Sequence, residues 1–263
     1  MEASEVAACW EANAETWTRH ARAGYDLYRD AQNTPAFFAN LPDIDGLDGL
    51  DIGCGEGSNT RKLAEAGGRI TAVDIAPTFI RHAQEAETAN PLGIAYRVAD
   101  GMALPFADAS FDFATAFMSL MDMPHQDRVL AEAKRVLKPS GFLQFSILHP
   151  CFATPGRKVM RDEAGNVLGI EVREYFRVSD GEIESWRFGA APAEEKARVE
   201  PFRVPRFHRT LSDWINLLVA TGFRIEHMHE PGVDAQTAKA VPYLADTYIA
   251  PLFLHMRVRK PAR

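Results

Sequence analysis

Residues 50–57 read Leu-Asp-Ile-Gly-Cys-Gly-Glu-Gly, an apolar strand that runs into a turn with glycine at every second position. Residues 58–63 follow as the start of a helix, and a second strand then ends at Asp74. A glycine-rich turn between a strand and a helix, with a carboxylate about 20 residues further on, is typical of a nucleoside-binding site. This stretch therefore predicts an α/β fold.

The turn and the carboxylate have separate physical roles. Gly53, Gly55 and Gly57 have no Cβ, so the backbone can bend sharply and a ligand can approach main-chain atoms. The carboxylate of Asp74 can accept hydrogen bonds from both hydroxyls of a ribose, and bonds to an ionised acceptor are stronger than neutral ones. We predict that Asp74 anchors a ribose.

The spacing of the glycines distinguishes two classes of cofactor. A dinucleotide site reads G-x-G-x-x-G, but Ser58 stands where the third glycine of that pattern belongs. The turn is instead G-x-G-x-G with Asp51 two places before it, which resembles the first motif of class I S-adenosylmethionine-dependent methyltransferases. The resemblance implies that this acid and the loop backbone hold the methionine end of the cofactor.

Three later segments resemble the same family in the same order. Residues 96–106 (YRVADGMALPF) resemble its adenine-recognition segment, in which Asp100 would accept from the adenine amino group and Met102 would lie on the ring. Residues 110–117 (SFDFATAF) resemble its fourth strand, and residues 137–142 (LKPSGF) its turn into the fifth. The resemblance covers about residues 45–150 and points to the small-molecule enzymes of the ubiquinone/menaquinone-biosynthesis type.

The resemblance implies a set of cofactor-binding residues. The cofactor is S-adenosyl-L-methionine, and its product is S-adenosyl-L-homocysteine. Two N-terminal tyrosines can donate to its carboxylate or close over it, although ordinary aromatic packing is the alternative for both. The predicted residues are Asp51, Gly53, Cys54, Gly55, Gly57, Asp74, Ile75, Asp100, Gly101, Met102, Phe117, Met118, Tyr25 and Tyr28.

Strand and helix patterns alternate from residue 47 onward, which predicts a parallel sheet with helices on both faces. With two more strands near the C-terminus, we expect a seven-stranded, mostly parallel, doubly wound (Rossmann-like) sheet. We divide the chain into an N-terminal helical cap (1–41), a cofactor-binding core (42–150), a substrate lid inserted after the fifth strand (151–209) and the C-terminal part of the core (210–263). Alternation in 171–177 and 183–188 predicts a β-hairpin in the lid.

Composition narrows the function. The chain has 263 residues, 46% hydrophobic and 25% charged, as in ordinary globular proteins. Its formal net charge of −7 disfavours a nucleic-acid substrate, because binding to phosphates depends on basic surfaces. Three widely spaced cysteines predict neither disulfides nor a metal site. We expect a cytoplasmic protein without a membrane span or leader.

The ends of the fourth and fifth strands supply candidates for catalysis. His149 and Cys151 follow the fifth strand, where His149 can act as a general base or donor and Cys151 can contact the substrate. Asp122 and His125 follow the fourth strand and can accept a proton or orient the acceptor. For each of these residues an ordinary structural role in a loop is the alternative.

A basic cluster in the lid points to the acceptor. Arg203, Arg206 and His208 lie in a proline-stiffened aromatic segment, and arginine forks match carboxylates and phosphates. An acidic small molecule is one acceptor compatible with this cluster, while salt bridges to nearby acids are the alternative. His208 is a further candidate base.

These patterns lead to one functional hypothesis: methyl transfer from S-adenosylmethionine to a small-molecule acceptor by direct in-line displacement, by a monomer or homodimer. Transfer to O, N or C all remain open. The alternatives are a non-catalytic cofactor-binding regulatory or scaffold protein and an enzyme that uses a modified form of the cofactor. A dehydrogenase is disfavoured by Ser58.

Overall fold

The computed structural model describes residues 1–262, which form one large sheet flanked by helices and two small two-stranded sheets. The strands are β1 (Asp48–Ile52), β2 (Arg69–Asp74), β3 (Ala95–Val98), β4 (Phe111–Phe117), β5 (Leu137–Leu148), β6 (Lys158–Arg161), β7 (Val167–Glu171), β8 (Glu182–Trp186), β9 (Phe202–Arg206), β10 (Arg224–His229) and β11 (Phe253–Arg259).

The α-helices are α1 (Ala3–Arg22), α2 (Thr34–Ala39), α3 (Ser58–Glu65), α4 (Pro77–Ala89), α5 (Gln126–Val136), α6 (Ala193–Arg198), α7 (Leu211–Thr221) and α8 (Ala235–Ala240). A π-helical turn, Arg29–Asn33, precedes α2, and 3₁₀ segments cover Leu120–Asp122 and Pro242–Tyr248.

The large sheet has the strand order β10-β11-β5-β4-β1-β2-β3 within the described residues. The five strands from β5 to β3 in this order are parallel, while β11 pairs antiparallel with both β5 and β10. The predicted seven-stranded, mostly parallel sheet is therefore confirmed. The strand order reverses between β1 and β4, and it is beside such a point that parallel sheets open a crevice for ligands.

Burial on both faces explains the apolar strands of the core. In β4, Phe113 packs among residues of α3 and α4, whereas its neighbour Ala114 packs on the opposite face with α5 and α7. Successive side chains of a strand point to opposite faces, so a strand covered on both sides is apolar throughout.

The ends of α7 agree with the signals in its sequence. Thr210 Oγ1 accepts from the backbone N–H of Asp213 at 3.1 Å and caps the helix. Gly222 follows the helix with φ +83°, a left-handed conformation that glycine adopts without strain. The helix therefore begins and ends where its sequence indicates.

The insertion, residues 151–209, contains a β-hairpin, but the residues predicted to pair there were wrong. The hairpin joins β6 to β7, and β8 pairs with β9 across the short helix α6. Residues 172–177 lie outside any strand. The partner of β8 is therefore some 20 residues further along, beyond the reach of a local alternation pattern. The four-part division of the chain stays a prediction.

Candidate active site

A cavity of about 750 Å³ opens at the C-terminal ends of β1, β2, β4 and β5. Its volume is within the range of small-molecule sites. One half of the cavity is formed by the glycine turn, the ends of β2 and β4 and the loop after β3. The other half lies between β5, β8, the N-terminal helix α1 and the C-terminal 3₁₀ segment.

The glycine turn is held against β2 and leaves backbone open to the cavity. The N–H groups of Gly53 and Cys54 both donate to the carbonyl oxygen of Val73, at 2.8 and 3.0 Å. Gly55 has φ +56°, and a Cβ built on it would meet no atom within 4 Å. A side chain at position 55 would thus extend into the space that a ligand needs, so the turn fits the backbone contact expected for the cofactor.

Asp74 lies at the end of β2 and faces this turn. Its Oδ2 accepts from the N–H of Gly55 at 2.8 Å, and its Oδ1 accepts from the N–H of Ala76 at 2.9 Å. Burial raises the pKa of Asp74 to about 6. A carboxylate can accept roughly four hydrogen bonds, so sites remain for the two hydroxyls of a ribose.

Asp51 joins three elements beneath the cavity. Its two oxygens accept from Thr60 Oγ1 of α3 at 2.6 Å and from Thr115 Oγ1 of β4 at 2.8 Å. Burial raises the pKa of this carboxyl group above its usual range. These bonds hold the end of β1, and with it the start of the glycine turn, against α3 and β4.

Asp122 and Arg206 form an ion pair in the other half of the cavity. Arg206 Nη1 donates to Asp122 Oδ1, and its Nε donates to Glu184 Oε2 of β8 at 3.1 Å. The Asp122 side chain is only 7% exposed, and burial raises its pKa to about 7 although Arg206 opposes the shift. The arginine therefore lies between two carboxylates.

A second polar group contains Tyr28. Its hydroxyl donates to Asp246 Oδ1 at 2.9 Å, and Arg157 Nη2 donates to Asp246 Oδ2 at 2.5 Å. Burial, and then the Asp246 charge, raise the pKa of Tyr28. Three distant segments, the N-terminal cap, the insertion and the C-terminal 3₁₀ segment, thus meet at the wall of the cavity.

Many of the residues predicted from the sequence line the cavity. They are Asp51, Gly53, Cys54, Gly55, Asp74, Ile75, Asp100, Gly101, Phe117, Met118, Tyr28, Asp122 and Arg206. Among residues 1–262, the predicted residues that do not line it are Gly57, Met102, Tyr25, His125, His149, Cys151, Arg203 and His208.

Two of the three candidate histidines have hydrogen-bond partners in the protein. His149 is 1% exposed, its Nε2 is 2.7 Å from Glu230 Oε1, and its Nδ1 accepts from the N–H of Cys151 at 3.1 Å. Because Nδ1 accepts, Nε2 carries the proton, and burial lowers the pKa of the ring. His208 Nε2 is 3.2 Å from the carbonyl oxygen of Tyr175, and this residue lines a smaller pocket that shares part of its wall with the cavity. His125 precedes α5.

Sequence reasoning missed several residues of the cavity wall. Trp10 and Trp17 of α1 carried no site prediction, yet both line the cavity with Trp186 of β8. Trp17 stacks on Trp186 with 4.9 Å between ring centroids. Arg157 and Tyr243 carried no signal, since their contacts come from segments far apart in the chain.

The described residues show neither a metal-ligating cluster nor a membrane-spanning helix. In the described part of the chain, no three His, Cys, Asp or Glu side chains are grouped so as to hold a metal ion. No helix of residues 1–262 has the length and hydropathy needed to span a membrane.

Comparison with known proteins identifies relatives of the core. Residues 50–145 match a family model described as a methyltransferase domain. The chain is 40% identical over 108 residues to a sterol 4-C-methyltransferase of Caenorhabditis elegans, which covers 38% of this chain and 30% of that protein. It is 33% identical over 143 residues to a malonyl-[acyl-carrier protein] O-methyltransferase of Pseudescherichia vulneris. That match covers 54% of this chain and 53% of that protein. The chain thus spans about half or less of these relatives.

A similar solved structure covers more of the chain. An S-adenosylmethionine-dependent methyltransferase from Mesorhizobium loti superposes with a TM-score of 0.68 at 27% identity, over 86% of this chain and 96% of that one. The agreement therefore extends beyond the family model to the sheet and most of its surroundings.

Proposed function

We infer that this chain, a member of the class I S-adenosylmethionine-dependent methyltransferases, moves the methyl group of that cofactor to a small-molecule acceptor by direct in-line displacement. One observation carries the proposal. A single cavity extends from the glycine turn and Asp74, past Met118, to Asp122 and the insertion. Cofactor and acceptor can therefore meet in one space.

The residues of the first half would hold the cofactor. We assign the ribose to Asp74, the adenine to Asp100 and Gly101, and the methionine end to the glycine turn with Asp51 nearby. The cofactor role of Tyr28, which shares Asp246 with Arg157, stays a prediction. The sulfonium of the bound cofactor makes its methyl group electrophilic, so the protein chiefly has to align an acceptor atom and exclude water. The aromatic side chains from α1 and β8 support that exclusion.

Asp122 is our candidate for contact with the acceptor. It is the sequence-predicted acid that lines the second half of the cavity, and a pKa near 7 suits a group that takes a proton at neutral pH. An acceptor hydroxyl or acidic carbon would lose its proton to this carboxylate. The catalytic roles predicted for His149, His125 and His208 remain predictions, which alanine variants can test.

Calorimetric titration with S-adenosylmethionine and S-adenosylhomocysteine tests the cofactor assignment. We expect binding of both, and absence of binding to the folded protein would contradict the proposal. Mass spectrometry of reactions with isotopically labelled cofactor and a metabolite extract should then reveal a product that gains one labelled methyl group. Binding without any labelled product would favour the non-catalytic scaffold, and transfer of another group would favour a modified cofactor.

We also propose a cytoplasmic monomer or homodimer. The three cysteines are free and far apart, which is compatible with a reducing compartment. Light scattering of the purified protein tests the oligomeric state, and fractionation of the source cells tests the location.

A further inference from the structure

Arginines are abundant in the cavity wall, and most of them already have partners. The residues concerned, within the described chain, are Arg29, Arg157, Arg177, Arg187 and Arg206. Four of them make at least two hydrogen bonds to other residues through the side chain. Arg157 makes one, to Asp246. Because a guanidinium has five N–H donors, Arg157 is the lining arginine with the most donors left over.

The spare donors of Arg157 include one that is cut off from bulk water. Its Nε is buried and has no hydrogen-bond partner, while the side chain as a whole is 17% exposed. Thr154, three residues earlier in the same loop, is 4% exposed and lines the cavity, and its Oγ1 also has no partner. A buried donor without an acceptor is costly, and these two lie three residues apart in one loop of the cavity wall, where a ligand can supply the acceptor.

The contact with Asp246 orients Arg157. Asp246 is buried, and its other oxygen is occupied by the hydroxyl of Tyr28. One edge of the guanidinium is therefore fixed against the protein, which leaves the remaining edge for a planar or tetrahedral oxyanion.

The other ion-paired arginine in this part of the cavity wall is less suited to an anion. Two carboxylates, Asp122 and Glu184, share the single guanidinium of Arg206. A negatively charged group would be repelled by these two carboxylates and would be better placed beside Arg157, whose side chain pairs with one carboxylate, Asp246.

We propose that Arg157 and Thr154 bind a carboxylate or phosphate group of the methyl acceptor, a proposal that rests on the proposed function. The acceptor is then an acidic small molecule whose anionic group lies at the loop after β5. Arg157 determines specificity, since it discriminates between acceptors with and without this group.

Three small probes test this assignment on the whole protein saturated with S-adenosylhomocysteine. Benzoate, phenyl phosphate and the neutral benzamide share one ring, which the aromatic wall can accommodate. Calorimetry should show at least one of the two anions binding about tenfold or more tightly than benzamide. Which anion binds more tightly distinguishes a carboxylate from a phosphate.

Variants of Arg157 connect the preference to this side chain. Arg157→Ala should remove the preference for the anion, and Arg157→Lys, which keeps the charge but loses the fork, should reduce it. Arg161→Ala is the matched control, because Arg161 lies on the exposed strand β6 and donates to Gly165 in its own hairpin. Each variant is first titrated with S-adenosylhomocysteine to show that it is folded.

The outcomes separate this inference from the proposed function. If wild-type protein binds S-adenosylhomocysteine but shows no preference for either anion, or if both Arg157 variants retain the preference, the acidic-acceptor assignment is overturned and the methyltransferase proposal stands. If wild-type protein does not bind S-adenosylhomocysteine, the proposed function fails, and this inference fails with it.

Discussion

The cofactor half of the molecule and the insertion differ in how they are held together. In the first, β1, β2 and β4 are buried parallel strands, and each is followed along the chain by a helix that covers the sheet. In the insertion, β8 is partly exposed and pairs with β9 across an intervening helix. Local sequence patterns therefore describe the first region well and the second poorly.

The insertion also depends on the N-terminal helix for its core. Phe188 and Phe202 form a small buried cluster with Ala21 of α1, and Trp17 lies 4.9 Å from the ring of Phe188 between centroids. The main clusters of the sheet contain none of these residues. The two regions should accordingly respond differently to mutation, which the following experiments test.

The Gly55→Val substitution should have the largest effect of the variants proposed, and it should act on cofactor binding. A valine at φ +56° is strained, and its side chain would enter the cavity, so we expect S-adenosylhomocysteine binding to be abolished. Gly165→Val is the control, because Gly165 also has positive φ and open space around it but lies in the β6–β7 hairpin. Calorimetry should show normal binding for the control, and equal losses in both variants would contradict the model of the site.

Phe188→Ala should affect the insertion and leave the sheet intact. Removing a buried phenylalanine costs about 3–5 kcal/mol. Because Phe188 packs with α1, β8 and β9 and belongs to neither cluster of the large sheet, hydrogen exchange should accelerate in β8, β9 and α1. Phe145→Ala, in the core of the sheet, should instead accelerate exchange across β4, β5 and β11. Uniform acceleration by Phe188→Ala would show that the two regions unfold as one unit.

Asp74→Asn should weaken S-adenosylhomocysteine binding by about 1.5–3 kcal/mol, the value of hydrogen bonds to a charged group. The measurement is again calorimetry. Asp112→Asn is a matched control, since Asp112 pairs with Lys138 at the N-terminal ends of β4 and β5, whereas Asp74 lies at the C-terminal end of β2. Unchanged affinity in Asp74→Asn would remove the ribose assignment.

The smallest effect concerns pH. Ribose hydroxyls bind the ionised form of Asp74, so cofactor affinity should be nearly complete at pH 7, about half at the pKa of about 6, and lower still below it. Between pH 7 and pH 5 the affinity for S-adenosylhomocysteine should decrease by up to about tenfold. The Asp74→Asn variant has no carboxylate to protonate at this position. Its pH profile therefore shows the effect of the other titrating groups, which is subtracted from that of the wild-type protein. An identical pH profile in the two proteins would contradict the prediction.

The accuracy of the sequence predictions follows the same division. The patterns predicted the alternation of strands and helices from residue 47 onward, including a second strand that ends at Asp74. In the structure the carboxylate of Asp74 accepts from the glycine turn. The patterns identified His149 by its position after β5. The orientation of its ring, however, depends on a hydrogen bond to Glu230, which is 81 residues away in the chain. No local pattern contains such a contact.

By itself, the sequence determined the order of strands and helices, the glycine turn and the acid at the end of β2. These follow from steric limits at glycine and from the periodicity of burial, which act between near neighbours. The tertiary structure alone decided that β8 pairs with β9, that Arg206 is shared by two carboxylates and that Arg157 keeps free donors. The reason is that pairing and desolvation depend on which distant segments meet, and that is settled only when the chain packs.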